Sequence, residues 1–102
     1  MQLTDQLISS VLCDDPVLYI DDRWLYEVEE EKSEITEEAL QEIGPICRRP
    51  GSDVTLVACS FSVKLAMEAA VAMHEKGTSC EVIDLRVINP LDMTEVLRSV
   101  AK

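Results

Sequence analysis

GSDVTLVACSFSVKLAMEAAVAMHEKGTSCEVIDLRVINPLD, residues 51–92, runs from a strand through a helix to a second strand and opens a further helix. Residues 54–59 (VTLVAC) are apolar with almost no alternation, as a strand covered on both faces requires, and they follow a Pro50-Gly51-Ser52-Asp53 turn. Residues 80–85 (CEVIDL) have the same character. The helical pattern between them, over 62–76, stops at Gly77. This order predicts a βαβ unit. Its strands should be parallel neighbours or near neighbours, with the helix packed on one face through a right-handed crossover.

That helix is apolar around most of its circumference. Val63, Leu65, Ala66, Met67, Ala69, Ala70, Val71, Ala72 and Met73 leave only Lys64, Glu68 and Glu75 as a polar stripe. One sheet face cannot cover so wide a surface, and the alanines permit close approach of another element. The expectation is self-association, or an exposed patch that includes Ala66, Ala69, Ala70 or Met73. His74, near the helix end, reads as a partly exposed residue at the negative end of the helix dipole, with no acid or nucleophile beside it in sequence. Asp92 opens the next helix and Glu95 follows three residues later, close to a capping box, with Met93, Val96, Leu97 and Val100 as the apolar face. The stop at Lys102, with no strand after this helix, reads as a truncation.

Upstream, Leu3, Leu7, Ile8, Val11 and Leu12 form one stripe on a short helix, which Asp14-Asp15-Pro16 ends. PVLYI (16–20) then reads as a buried strand. Residues 27–42 lack a persistent apolar period and read as an exposed acidic linker with a helical turn near 36–41. Residues 43–47 are a candidate edge strand, with Pro45 favouring the edge.

The net charge of −11 is local to the first part of the chain: residues 21–42 carry ten acids against Arg23 and Lys32, whereas residues 43–102 balance to zero. With no basic patch, nucleic acid and anionic membranes are excluded as partners. No apolar run approaches the ~20 residues of a membrane span, and no secretory signal pattern is visible because Asp5 and Gln6 interrupt the first apolar residues. Cys13, Cys47, Cys59 and Cys80 show no CxxC or paired spacing, which argues against a disulfide framework or a zinc site. Cys59 and Cys80 read as small hydrophobes in strands, in a reducing compartment.

GSDVTLVA (51–58) and EVIDLRVINPLD (81–92), at this separation, resemble the first half of the C-terminal domain of transketolase-like thiamine-diphosphate enzymes. The resemblance is to the β subunit of the decarboxylating component of 2-oxo-acid dehydrogenase complexes, of the pyruvate, branched-chain or acetoin type. Residues 3–26 resemble the last helix and strand of the preceding pyrimidine-binding domain, down to Asp15-Pro16 and Leu25-Tyr26. The implied fold class is α/β, a parallel-sheet βαβα unit of the transketolase C-terminal-domain type behind the end of a pyrimidine-binding domain. The implied division is 1–26, a linker over 27–50, and 51–102.

The resemblance implies a parent enzyme that decarboxylates a 2-oxo acid and transfers the acyl group to a lipoyl arm. Its partners would be an α subunit, a second β subunit and a lipoyl-bearing acyltransferase, in the cytoplasm or, in a eukaryote, the mitochondrial matrix. Thiamine diphosphate and Mg2+ would serve that parent only. The glutamate that activates the thiamine ring lies earlier in the family's pyrimidine-binding domain, and the diphosphate motif lies in the partner subunit. No catalytic or cofactor-binding residue is therefore assigned, and this chain alone should be inactive, its part being subunit packing. Asp84, Arg86, Pro90 and Asp92 would be structural. One binding feature carries over: the backbone carbonyls of Ser10, Val11, Cys13 and Asp15 would wrap a monovalent cation, usually K+, although relatives often have Asp where Cys13 stands. The competing reading is a free-standing α/β ligand-binding or regulatory module that uses the carboxyl ends of its strands. Gly44, Gly51 and Gly77, isolated from one another, supply no phosphate loop for it.

Overall fold

The computed structural model describes residues 3–29 and 42–102, and the helical turn expected at 36–41 lies outside them. The chain divides into two compact units, one ending at Ile43 and one from Gly44 to Lys102.

In the first unit, α1 spans Leu3–Leu12 and stops before the Asp14-Asp15-Pro16 sequence, as the proline predicts. Ser10 Oγ donates back to Gln6 O at 2.7 Å within it. A 3-10 turn covers Arg23–Leu25, with Asp22 Oδ1 accepting from Trp24 N–H at 2.9 Å. Residues 16–20 correct the sequence reading: they form no strand, and Leu18 and Ile20 are exposed. Apolar composition reports that a segment favours cover. A strand also needs a neighbour to take its N–H and C=O groups, and no described strand pairs with these residues.

The second unit is built on a three-stranded sheet of order β1-β3-β2, with β1 at Ile46–Arg49, β2 at Val54–Ala58 and β3 at Cys80–Asp84. Parallel pairing of β2 and β3 runs from Val54↔Cys80 to Ala58↔Asp84, as the βαβ reading expects. β1 joins the other side of β3 antiparallel, so the sheet is mixed and takes in residues before 51. The edge strand foreseen at 43–47 starts after Pro45, at Ile46, where proline's missing donor no longer interrupts the ladder.

Helix α2 spans Phe61–Glu75 and α3 spans Thr94–Val100. Side chains alternate across a strand, and this sorts the two helices. Cys80 and Val82 of β3, with Leu56 of β2, pack against Ala66, Met67 and Ala70 of α2. Glu81 and Thr55 point to the other face, where they meet Ser99 of α3. The sheet is thus covered on both faces. All five residues of β3 are buried, as a central strand requires. β2 departs from its sequence reading. Val54 and Val57 remain over 40% exposed, because β2 lies at the sheet edge. On α2, Ala70 is fully buried and Ala66 partly so, while Ala69 and Met73 are exposed. No helix among the described residues is long and apolar enough to cross a membrane.

Candidate functional site

The second unit concentrates its polar chemistry at two points on β3. The first is Glu81. An acid inside a strand that is buried throughout is costly unless its charge is answered, and here four donors answer it. Ser99 Oγ donates at 2.6 Å, Lys102 Nζ at 2.7 and 2.9 Å to the two carboxylate oxygens, Arg98 Nη2 at 3.2 Å and Cys47 Sγ at 3.4 Å. Thr55 and Ser99 hydroxyls share a further bond of 2.7 Å, which ties β2 into the cluster. The hydrogen bond from Lys102 is the largest influence on Glu81, followed by that from Ser99. Together with the Arg98 and Cys47 bonds they outweigh its burial and hold its carboxyl down at about 2. Partial burial first, and the Glu81 carboxylate second, push the Cys47 thiol up. A carboxylate held this low cannot exchange protons near neutrality, and a thiol pushed up is a poor nucleophile. The cluster clamps α3 to the sheet.

The second point lies at the carboxyl end of β3. Asp84 Oδ2 accepts from Arg48 Nε at 3.0 Å and Nη2 at 2.8 Å, which locks β1 to β3. Asp84 Oδ1 accepts from the Arg86 N–H at 3.1 Å, while Arg86 Nε donates to Gly44 O at 2.6 Å. Arg86 adopts φ +58°, a left-handed conformation uncommon outside glycine, and these bonds hold it there. Asp84 and Arg86 therefore fill the structural roles expected of them.

Asp92 caps α3 with a modified geometry. Its Oδ1 accepts from Thr94 N–H at 2.9 Å, which lowers its pKa, but Met93 occupies the N-cap position. Glu95 does not close a capping box and pairs instead with Arg98 Nε at 3.0 Å. Pro90 follows a cis peptide bond from Asn89. His74 is exposed in the last turn of α2. Cys80 is buried in β3 as read, whereas Cys59 falls one residue beyond β2. The proposed cation ligands lie around the end of α1, Ser10 and Val11 in its last turn and Cys13 and Asp15 just after. Carbonyls there lack intrahelical partners by construction.

Sequence reading missed Glu81, Ser99, Thr55, Arg98, Lys102 and Arg48. Glu81 itself was the available signal, a lone acid early in an otherwise buried strand. A cleft of about 270 Å3 runs beside β2, lined by residues 51–55, Ser99, Val100 and Lys102. No group of three or more His, Cys, Asp or Glu side chains gathers among the described residues.

The transketolase C-terminal domain family matches residues 46–102. The chain is 36% identical over 96 residues to the pyruvate dehydrogenase E1 component subunit beta of Rickettsia felis, covering 94% of this chain and 29% of that relative. Proteins of the same name from Staphylococcus epidermidis (37% over 102 residues) and Staphylococcus aureus (37% over 98) are each matched by 94% of this chain and over 30% of their own length. The chain thus spans under a third of the length of the curated relatives it matches.

Proposed function

The chain belongs to the transketolase C-terminal domain family, and from that premise we propose that it works as part of the β subunit of a thiamine-diphosphate-dependent 2-oxo-acid dehydrogenase, where it packs subunits together. The observation that carries this reading is the extent of the likeness: 94% of the chain, spanning both compact units, aligns with E1 beta subunits. In this reading the parent decarboxylates a 2-oxo acid and passes the acyl group to a lipoyl arm. Its partners are an α subunit, a second β subunit and a lipoyl-bearing acyltransferase, in the cytoplasm or a mitochondrial matrix.

Thiamine diphosphate and Mg2+ belong elsewhere in that assembly. Donor chemistry supports this placement. Mg2+ seeks free carboxylate oxygens, while Glu81, Asp84, Asp53 and Asp92 each already accept from neighbouring groups. Isothermal titration of the chain with thiamine diphosphate and Mg2+ is expected to give no binding at micromolar concentrations. Micromolar affinity would overturn the reading.

The carbonyls of Ser10, Val11, Cys13 and Asp15 fit a hard monovalent cation, and K+ is the ion we assign to them. At ten times its dissociation constant K+ should stabilise the folded chain by about 1.4 kcal/mol over choline at equal ionic strength. Identical thermal midpoints in the two salts would remove the site.

A further inference from the structure

We propose that the chain pairs with a second copy of itself through the outer edge of β2, joining two three-stranded sheets into one of six strands. The contrast between the two sheet edges motivates this. β1 carries the usual protections of an edge: Pro45 and Pro50 bracket it, Arg48 and Arg49 charge it, and its register is irregular between Cys47 and Arg49. β2 has none of these. Val54-Thr55-Leu56-Val57-Ala58 contains no charge and no proline, its ladder to β3 is regular, and Val54 and Val57 are half-exposed.

Hydrogen-bond parity fixes what can pair there. Val54 N–H donates to Ser79 O, and Leu85 N–H donates to Ala58 O, so residues 54, 56 and 58 direct their backbone groups toward β3. Thr55 and Val57 accordingly direct theirs outward. An antiparallel copy can satisfy both residues of both strands only with Thr55 opposite the partner's Val57, Val57 opposite the partner's Thr55, and the two Leu56 residues facing each other. That register forms four intermolecular backbone bonds. Its side-chain pairs are Val54–Ala58, Thr55–Val57 and Leu56–Leu56, every one uncharged and every one on a common face.

Charge permits the approach. Residues 44–102 are neutral in sum, so the two sheet units do not repel as the whole chains do. The antiparallel arrangement also brings Asp53, before β2, to the end where the partner's Lys64 opens α2. A second copy suits this edge better than an unrelated strand, because the edge is complementary to itself.

The test uses the intact chain. Sedimentation across a concentration series should show a monomer–dimer equilibrium. Hydrogen exchange should slow at the Thr55 and Val57 amides by about tenfold or more as the dimer forms, since each gains a partner only there. Val57→Lys, at an exposed edge position, should give a monomer with unchanged far-UV circular dichroism. Val57→Pro, which deletes an outward N–H and leaves the bonds to β3, should do the same. A monomer at all concentrations would overturn the proposal. So would a dimer whose Thr55 and Val57 amides exchange freely, or one that survives both substitutions, because either result places the contact elsewhere.

Discussion

Replacing Gly51 with alanine is expected to destabilise the chain by about 3 kcal/mol, lowering the thermal midpoint by roughly 10–20 °C. The turn before β2 lies directly on the start of β3. Asp53 and Val54 N–H groups donate to Ser79 O at 2.8 and 3.2 Å, and Asp53 Oδ2 accepts from Ser79 N–H at 2.7 Å. A Cβ on Gly51 would overlap the carbonyl carbon of Cys80 and the nitrogen of Glu81, and would sit 2.6 Å from the Cys80 oxygen. These are backbone atoms of the central strand, with no flexible side chain to move aside. Either the turn lifts away and those bonds lengthen, or β3 shifts against α2. Gly77, at φ +85° with nothing near its Cβ position, provides a control for conformation without crowding. Urea denaturation decides the matter, and a Gly51→Ala loss below about 1 kcal/mol would show that the contact is slack.

Glu81→Ala is expected to cost about 2–4 kcal/mol, because it removes the acceptor shared by Ser99, Lys102, Arg98 and Cys47. Lys102→Ala or Arg98→Ala should cost far less, since both cations are over a third exposed and can return to water. The same cluster sets an acid limit. The folded carboxyl is held at about 2, against an ordinary 4.5. Its contribution is therefore fully present above about pH 4.5 and disappears as pH falls through 2, where the unfolded chain no longer binds more protons. Glu81→Gln should flatten stability between those values. A variant retaining the full wild-type acid limb would move its origin to other carboxylates.

The parts of the fold legible in sequence were those with a strong local pattern. Residues 54–59, 62–76 and 80–85 announce strand, helix and strand through unbroken apolar runs and a helical stripe. Two features were hidden because they depend on neighbours. An apolar run does not say whether its strand is central or peripheral, so Val54 and Val57 were expected to be buried and are half-exposed. Residues 16–20 have the composition of a strand and no described partner. β1 was faint for the opposite reason: Cys47-Arg48-Arg49 looks polar, and only the pairing of Arg48 with Asp84 reveals why arginine suits that position. The Glu81 cluster assembles groups from positions 47, 55, 81, 98, 99 and 102, and no local window contains the match.

The strand order β1-β3-β2 has a consequence for how the sheet forms and opens. β1 and β2 follow one another in the chain yet never touch as strands, because β3 lies between them. No local hairpin can form first and wait. The sheet exists only once β3 has been threaded between two strands that until then have no partner, so its nucleus combines contacts distant in sequence. Opening should be equally concerted. Loss of β3 releases both neighbours at once, and its amides should exchange only through complete unfolding of the second unit, with no intermediate that keeps part of the ladder.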